Sequence, residues 1–297
     1  MNFDLNDFRL ILNIAETRNL TRAAEKTFLS TPAASNRVKN LEKALGLNIL
    51  ERSSKGVELT EIGLIYLKYA KSIYHEIDCL KGELYLFNEQ IQGKLSVVAN
   101  TTAITEYIPM ALSEYLIRHP QIDVNLQEML SQDIIKAVSD KRADLGIISG
   151  EVDTKELQTI PLISSQLILI AAESHPILDY KNITLLDVVK YSVVTLPEGS
   201  AIQIFLNELS QKVDKETNIR VQVSSYDTIC QMVAAGVGIA IIPLAAFRRL
   251  QPIYPSIRHK NIDEQWAHRS FKICAIDFRK ISQFAEDFIK SLKSNIH

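Results

Sequence analysis

The stretch LTRAAEKTFLSTPAASNRVK, residues 20–39, has the pattern of two short helices separated by a tight break. Ala23 and Ala24 are small side chains that let a second helix cross closely, as a helix-turn-helix requires. Ser30 can cap the second helix, and Pro32 in its first turn needs no helical N–H partner. The stretch therefore predicts a helix-turn-helix.

The second of these helices has two chemically different faces. Ala34, Val38 and Leu41 recur at helical spacing and form one apolar stripe. The opposite face carries hydrogen-bond donors and cations, which suit base edges and phosphates in a DNA major groove. We predict DNA contacts from Thr31, Pro32, Ser35, Asn36, Arg37 and Lys39. The alternative is a small helical hairpin whose polar face contacts only solvent.

The segments on either side complete a small DNA-binding domain, residues 1–59. Residues 4–18 have an amphipathic pattern that supplies a further helix to its core. The segment after the second helix predicts a β-hairpin with its turn at residues 54–56. Because such a wing contacts the DNA backbone or a minor groove, we predict phosphate contacts from Arg52 and Lys55.

Composition restricts the class of protein. A chain of 297 residues is long enough for about two or three domains, and its formal net charge is −2. It cannot coat nucleic acid by bulk charge, so DNA binding must use a local basic patch. Cys79, Cys230 and Cys274 are odd in number and far apart, which indicates neither a disulfide framework nor a zinc site. We expect no metal or cofactor. Without a signal-peptide or membrane-spanning pattern, we expect a cytoplasmic protein with no membrane contact.

Residues 60–92 have the pattern of one long helix with an apolar stripe. A lone helix of that length cannot bury such a stripe, which therefore predicts a coiled coil with the same helix of a second chain. The predicted dimerisation seam consists of Ile62, Tyr66, Tyr69, Ile73, Ile77, Leu80 and Leu84. The alternative is packing of the stripe against its own domain. Gly93 then predicts the end of the helix and a domain boundary.

Four motifs in this region together resemble the LysR-type transcriptional regulators. They are NLTRAAE at residues 19–25, LSTPAAS at 29–35, LEKALGLNILER at 41–52 and LTEIG at 59–63. The family usually has glutamine at the position of Thr31 and often arginine at that of Asn36. The resemblance implies a winged helix-turn-helix domain that binds promoter DNA, followed by a linker helix.

After Gly93 the pattern alternates between short apolar strands and helices, which favours a parallel α/β architecture. One of these strands is predicted at residues 166–171. By its resemblance to the family, this half is an effector-binding domain built like a periplasmic solute-binding protein, with two α/β lobes facing a cleft. The implied domain is residues 93–297, with lobe I at 93–164 and 266–297 and lobe II at 165–265.

The cleft site is predicted from chain positions after strands and before helices. Ligands of α/β sheets bind at the carboxyl ends of strands, where free helix N–H groups favour an anion. Asn100, Thr101 and Thr102 hold one such position, and Gly199 with Ser200 holds another. The resemblance places both at the cleft together with Ser149. The alternative is that Thr102 and Ser200 serve only as helix caps.

These patterns favour a transcription regulator whose DNA binding is controlled by a small effector. The expected partners are double-stranded promoter DNA, a small carboxylate or other oxyanion, and RNA polymerase. By family resemblance the chain also pairs with itself as a dimer of dimers. No catalytic motif is present, so we expect no enzyme activity. The alternative is an α/β solute-binding protein or enzyme with an N-terminal helical oligomerisation arm.

Overall fold

The computed structural model of the chain describes residues 4–53, 56–85, 88, 91–150, 152–198, 200–212 and 217–295. Residues 1–88 with 140–142 form one unit, and residues 89–139 with 143–297 form a second. The elements of the first unit are α1 (Leu5–Thr17), α2 (Leu20–Lys26), α3 (Thr31–Leu45), β1 (Leu50–Ser53), β2 (Gly56–Leu59) and α4 (Glu61–Tyr85).

The starts of the first three helices follow from local capping. The Asp4 carboxylate accepts from the backbone N–H of Asn6 at 2.9 Å, and the Asp7 carboxylate accepts from the backbone N–H of Asp4. Asn19 caps α2, and the Ser30 hydroxyl caps α3 by accepting from the Ala33 N–H at 3.3 Å. The predicted helix-turn-helix is thereby confirmed, with α3 as its second helix.

Small and aliphatic side chains form the core of this unit. Ala23 and Ala24 are fully buried, so α2 crosses its neighbours closely. Ile11 of α1 and Val38 of α3 are buried in the same cluster. The polar face of α3 therefore points away from the core of its own unit.

The long helix α4 is described as far as Tyr85, and residues 86, 87, 89 and 90 lie outside the described residues. Asn88 and residues 91–92, which the sequence pattern assigns to the same helix, are not helical. Gly93 does not end this helix but begins a strand, where it pairs with Ile122. A Cβ on Gly93 would clash with the Phe284 ring. Close packing in the second unit therefore explains this glycine, and helix termination does not.

The predicted dimerisation seam divides into two halves. Tyr66 stacks on Phe8 of α1 with ring centroids 5.1 Å apart, and Ile73 packs on the same core. At these two positions the alternative of packing within the domain is correct. By contrast Tyr69, Leu80 and Leu84 are 65%, 54% and 46% exposed. Among the seam residues, Tyr69, Leu80 and Leu84 are therefore left open to a second chain, and helical spacing places them on one side of α4.

The second unit contains strands and helices in a mixed order. Its strands are β3 (Gly93–Ala99), β4 (Ile122–Glu128), β5 (Leu145–Ser149), β6 (Gln158–Ala172), β7 (Val193–Thr195), β8 (Ile219–Gln222), β9 (Ala240–Pro243), β10 (Ile257–Asn261) and β11 (His268–Ala275). Its α-helices are α5 (Ile108–Arg118), α6 (Ser131–Ser139), α7 (Leu185–Val188), α8 (Ala201–Lys212), α9 (Tyr226–Ala234), α10 (Leu244–Leu250) and α11 (Gln283–Asn295). A π-helix, Ala103–Tyr107, precedes α5. The sequence analysis did not predict β10 or α10.

The sheets are mixed, which corrects the predicted parallel architecture. β3 pairs in parallel with β4 and β5, but β11 runs antiparallel to both β5 and β6. Strand β6 begins at Gln158, well before the predicted residue 166. Pro161 lies in its first half, and the register of β6 with β11 shifts beside it, which is where a strand tolerates proline.

β6 connects the two lobes of this unit. Its residues 158–166 pair with β11, and its residues 167–172 pair with β9 and β10. The first lobe contains β3, β4 and β5, and the second contains a separate core on the other half of β6. The predicted combination of a winged helix-turn-helix with a two-lobed α/β domain is confirmed.

Candidate nucleic-acid interface and effector cleft

The exposed face of α3 carries the predicted DNA contacts. Pro32, Asn36 and Lys39 are exposed, and Thr31 and Ser35 are half-buried. Within the described residues, the side chains of Thr31, Ser35, Asn36 and Lys39 make no hydrogen bond or ion pair, and their donors and acceptors are open to a partner. A helix presenting such groups from its first turn onward suits a DNA major groove.

Arg37, another of the predicted DNA contacts, is ion-paired within its own domain. Its Nε lies 2.8 Å from Asp7 Oδ1, and its Nη2 contacts the Asp4 carboxylate. The pKa of Arg37 is raised, mainly by its hydrogen bond to Asp7 and to a smaller extent by Asp4. The pKa of Asp4 is lowered, mainly by the Asn6 N–H and to a smaller extent by Arg37. The guanidinium therefore ties α3 to the N-terminus of α1 through its Nε and Nη2 donors.

The wing is described only in part. β1 and β2 pair from Leu50 with Leu59 to Ser53 with Gly56. The Arg52 side chain and Lys55 lie outside the described residues, as does Gly199 of the predicted effector set. Their predicted contacts stay predictions.

A cavity of about 520 Å³ lies in the second unit. It is lined by Leu130, Ser131, Gln132, Asp133, Ser149, Gly150, Val152, Asp153, Ile204, Trp266, His268, Arg269 and Ser270. These residues come from both lobes, since Ile204 belongs to α8 and Ser131 begins α6. A cavity of this size is within the usual range for a small-molecule site.

The guanidinium of Arg269 is the main cation of this cavity wall. Gly150 has φ +78°, and a Cβ built on it would lie 2.6 Å from Arg269 Nη2. Any larger residue at this position would strain the backbone and displace the guanidinium. Gly150 therefore provides the space in which Arg269 lies.

The predicted effector residues are only partly brought together at the cavity. Ser149 lines it, and Ser149 also lines a space of about 20 Å³ with Thr102 and Arg269. Such a space is large enough for about one water. Asn100 donates to Ser149 Oγ at 2.9 Å, and Thr101 donates to Glu128 at 2.6 Å.

Thr102 and Ser200 are used within the protein. The Thr102 hydroxyl lies 2.9 Å from the Tyr226 hydroxyl, across the two lobes, and burial raises the pKa of Tyr226. Ser200 caps α8 by accepting from the Gln203 N–H at 3.3 Å. Ser200 thus has the capping role that was the alternative for it, whereas Thr102 joins the lobes.

Sequence reasoning missed Arg269, Trp266 and Ser131. Ser131 follows β4 and begins α6, so the strand-end rule used for Thr102 could have found it. Arg269 lies at the start of β11 and Trp266 just before it, and no sequence pattern there distinguishes a cavity residue from any other residue near the start of a strand.

The described residues give little support for a reactive cysteine or a metal site. Burial raises the pKa of the Cys230 and Cys274 thiols to about 12, which makes both poor thiolate nucleophiles at neutral pH. Among the described residues, no group of three or more histidine, cysteine, aspartate or glutamate side chains could hold a metal ion. In the same part of the chain, no helix combines the length and apolarity needed to cross a bilayer.

The fold and these two sites define a DNA-binding protein with a ligand-binding domain. The family described as "Bacterial regulatory helix-turn-helix protein, lysR family" matches residues 5–64, and the "LysR substrate binding domain" matches residues 88–296. The chain belongs to the LysR family of transcriptional regulators, and its resemblance to that family is confirmed. It is a DNA-binding transcription regulator with an effector-binding domain.

Curated relatives agree with this assignment, and solved structures share the fold. A probable RuBisCO transcriptional regulator of Phaeodactylum tricornutum (strain CCAP 1055/1) is 28% identical over 83% of this chain and 82% of its own. The regulator CysL of Bacillus subtilis (strain 168) is 26% identical over 97% and 96%. A full-length variant of OxyR from Pseudomonas aeruginosa shares the fold with a TM-score of 0.75, at 23% identity over 99% and 95%. The structure of full-length CbnR in complex with its target DNA also shares the fold, with a TM-score of 0.65. It is 19% identical, and the match covers 99% of this chain and 100% of that chain.

Proposed function

We propose that the effector is an organic acid whose anionic group contacts Arg269 and whose apolar body fills the cavity. A bare oxyanion would occupy only a small part of about 520 Å³. The cavity wall combines the Arg269 cation with apolar surface from Leu130, Ile204 and Trp266. This combination is the single observation that carries the proposal, because it matches a ligand with one charged end.

Two further groups favour an anion at the same place. Ser131 begins α6, so the helix N-terminus adds N–H donors and a positive dipole end. The buried Ser131 hydroxyl oxygen has no hydrogen-bond partner within the described residues. Asp133 and Asp153 also line the cavity and suit hydroxyl groups of the ligand rather than its acidic end.

Thermal unfolding with a panel of aromatic and aliphatic carboxylic acids tests this proposal. A bound acid at about 100 times its Kd should stabilise the protein by about 2.7 kcal/mol, and the matching amide should not. Arg269→Met should abolish the stabilisation. The control Arg279→Met removes an 83%-exposed arginine that pairs with Asp277. This variant should keep the stabilisation by the acid. Stabilisation of the Arg269 variant equal to that of the wild type would contradict the proposed contact.

For DNA we propose a division of roles along α3. Thr31, Pro32, Ser35 and Asn36 contact base edges or the groove surface, and Lys39 contacts a phosphate. The open polar groups of Thr31, Ser35, Asn36 and Lys39 support this division. Arg37 is reassigned as a positioning residue because its guanidinium is held by Asp4 and Asp7.

A salt titration of DNA binding separates these roles. Lys39→Ala should weaken binding to all duplexes and reduce the slope of log K against log salt by about one unit. Asn36→Ala should instead lower the preference for the selected sequence while leaving the slope unchanged. A change of slope in the Asn36 variant, or none in the Lys39 variant, would argue against the assigned contacts.

Self-association is the third part of the proposal. The exposed side chains Tyr69, Leu80 and Leu84 on α4 support a paired helix. Met110 and Ile117 of α5 are 69% and 80% exposed on one helix face, which supports a second contact and a dimer of dimers. Contact with RNA polymerase stays a prediction from the family resemblance.

A further inference from the structure

Phe28, in the turn between α2 and α3, occupies a backbone position that disfavours it. Its φ is +59°, in the left-handed region that glycine adopts most readily. The Phe28 N–H donates to the Glu25 carbonyl at 3.0 Å, and the Leu29 N–H donates to the Ala24 carbonyl at 2.9 Å. This pair of hydrogen bonds defines a Schellman motif, in which glycine or asparagine usually occupies the position of Phe28.

Packing does not explain the phenylalanine. Its side chain is 87% exposed, whereas the next residue, Leu29, packs on the core of the domain. The backbone strain is therefore not offset by burial of the ring in this chain. Residues with strained backbone conformations are concentrated at functional sites, although they also occur elsewhere.

The ring lies close to the end of α3 that enters DNA. Phe28 precedes Ser30, the N-cap of α3, by two residues, so their Cα atoms are at most about 7 Å apart. The N-terminal residues of such a helix contact base edges in a groove about 12 Å wide. An exposed ring at this distance can contact the edge of the same groove.

We propose that Phe28 makes an apolar contact with a thymine 5-methyl group at the edge of the major groove and so adds a sequence preference beside that of α3. This inference rests on the proposed DNA contacts of α3. The thymine methyl is the apolar feature of the major groove, and an aromatic ring is suited to contact it. A contact with DNA would explain why an exposed phenylalanine occupies a strained backbone position at Phe28.

The test compares the wild-type chain with Phe28→Gly in selection from a random duplex pool. The wild type should select thymine at one position per half-site, and the variant should not. Replacing that thymine by deoxyuridine removes only the methyl group, and should weaken wild-type binding by about fourfold. The Phe28→Gly variant should bind the thymine duplex about as weakly and should not respond to deoxyuridine.

Stability measurements separate this role from misfolding. The Tm of Phe28→Gly should be equal to or higher than that of the wild type, because glycine accepts φ +59°. Lys155→Gly relieves a similar backbone conformation, φ +53°, in the second unit, and should leave DNA binding unchanged.

The proposal fails if both proteins select the same duplex with equal affinity, or if deoxyuridine weakens both equally. It also fails if Phe28→Gly lowers the Tm, because the ring then stabilises the domain itself. If the wild type selects no duplex at all, the proposed DNA contacts of α3 fail with it. That outcome is distinct from equal selection, which contradicts the role of Phe28 alone.

Discussion

Replacing Arg249 by methionine is expected to destabilise the effector-binding unit by about 3 kcal/mol. Arg249 of α10 makes two hydrogen bonds to Glu106, at 2.7 and 3.0 Å, and so joins the second lobe to the first. The Glu106 side chain is only 2% exposed, whereas that of Arg249 is 47% exposed. Loss of the guanidinium therefore leaves the buried Glu106 carboxylate without its counterion, and a buried unpaired charge lowers the free energy of unfolding.

Urea unfolding of three variants measures this effect. Arg249→Met should show the full loss, and Arg249→Met with Glu106→Gln should recover most of it because no buried charge remains. Arg279→Met is the control, since Arg279 is 83% exposed and solvent can screen the charge of Asp277 once the guanidinium is removed. Equal losses in the single variant and the control would show that the pair contributes no more than a surface contact.

The pair of Arg249 and Glu106 also affects how the two lobes can move. Together with the hydroxyl contact of Thr102 and Tyr226, it holds the two lobes against each other. A ligand can change this arrangement only if its affinity differs between two lobe arrangements. Arg249→Met should therefore change the response to an effector as well as stability.

Replacing Leu80 and Leu84 together by glutamate is expected to convert a dimer into monomers and to lower operator affinity by about 100-fold or more. Both leucines lie on the exposed C-terminal half of α4, where Leu80 is 54% and Leu84 46% exposed. Two charges at adjacent turns of a paired seam would face their counterparts and lose their hydration. Without pairing, each DNA-binding domain must find its half-site alone.

Analytical ultracentrifugation gives the oligomeric state, and a mobility-shift titration gives the affinity. Leu64→Glu is the matched control: Leu64 is 56% exposed on the same helix, but roughly on the opposite face from Leu80. The control should stay dimeric and keep its affinity. If the double variant sediments as the wild type does, α4 is not the dimerisation helix.

Much of the N-terminal domain could be predicted from sequence because its rules are local. Ser30 and Asn19 cap the helices as their residue types indicate, and Ala23 and Ala24 are buried. The motifs at residues 29–35 and 41–52 indicated the family before any contact was known. The capping signals act within about one helical turn, and each motif is a short continuous stretch of sequence, so these signals can be recognised without knowledge of distant contacts.

The exceptions arise where distant segments meet. Arg37 has the side chain of a DNA contact, yet Asp7, 30 residues earlier, accepts from its guanidinium. Gly93 resembles a helix terminator, yet it is needed for close packing with Phe284. Local patterns have no information about such partners.

The sequence by itself determined the family, the helix-turn-helix with its caps, and the division into a DNA-binding and a two-lobed α/β part. Only the tertiary structure decided that Tyr66 packs on Phe8 while Leu80 stays exposed, and that Arg269 lines the cavity beside Gly150. The physical reason is range. Capping and periodicity act between neighbours in the chain, whereas burial and the walls of a cavity depend on segments that only the folded chain brings together.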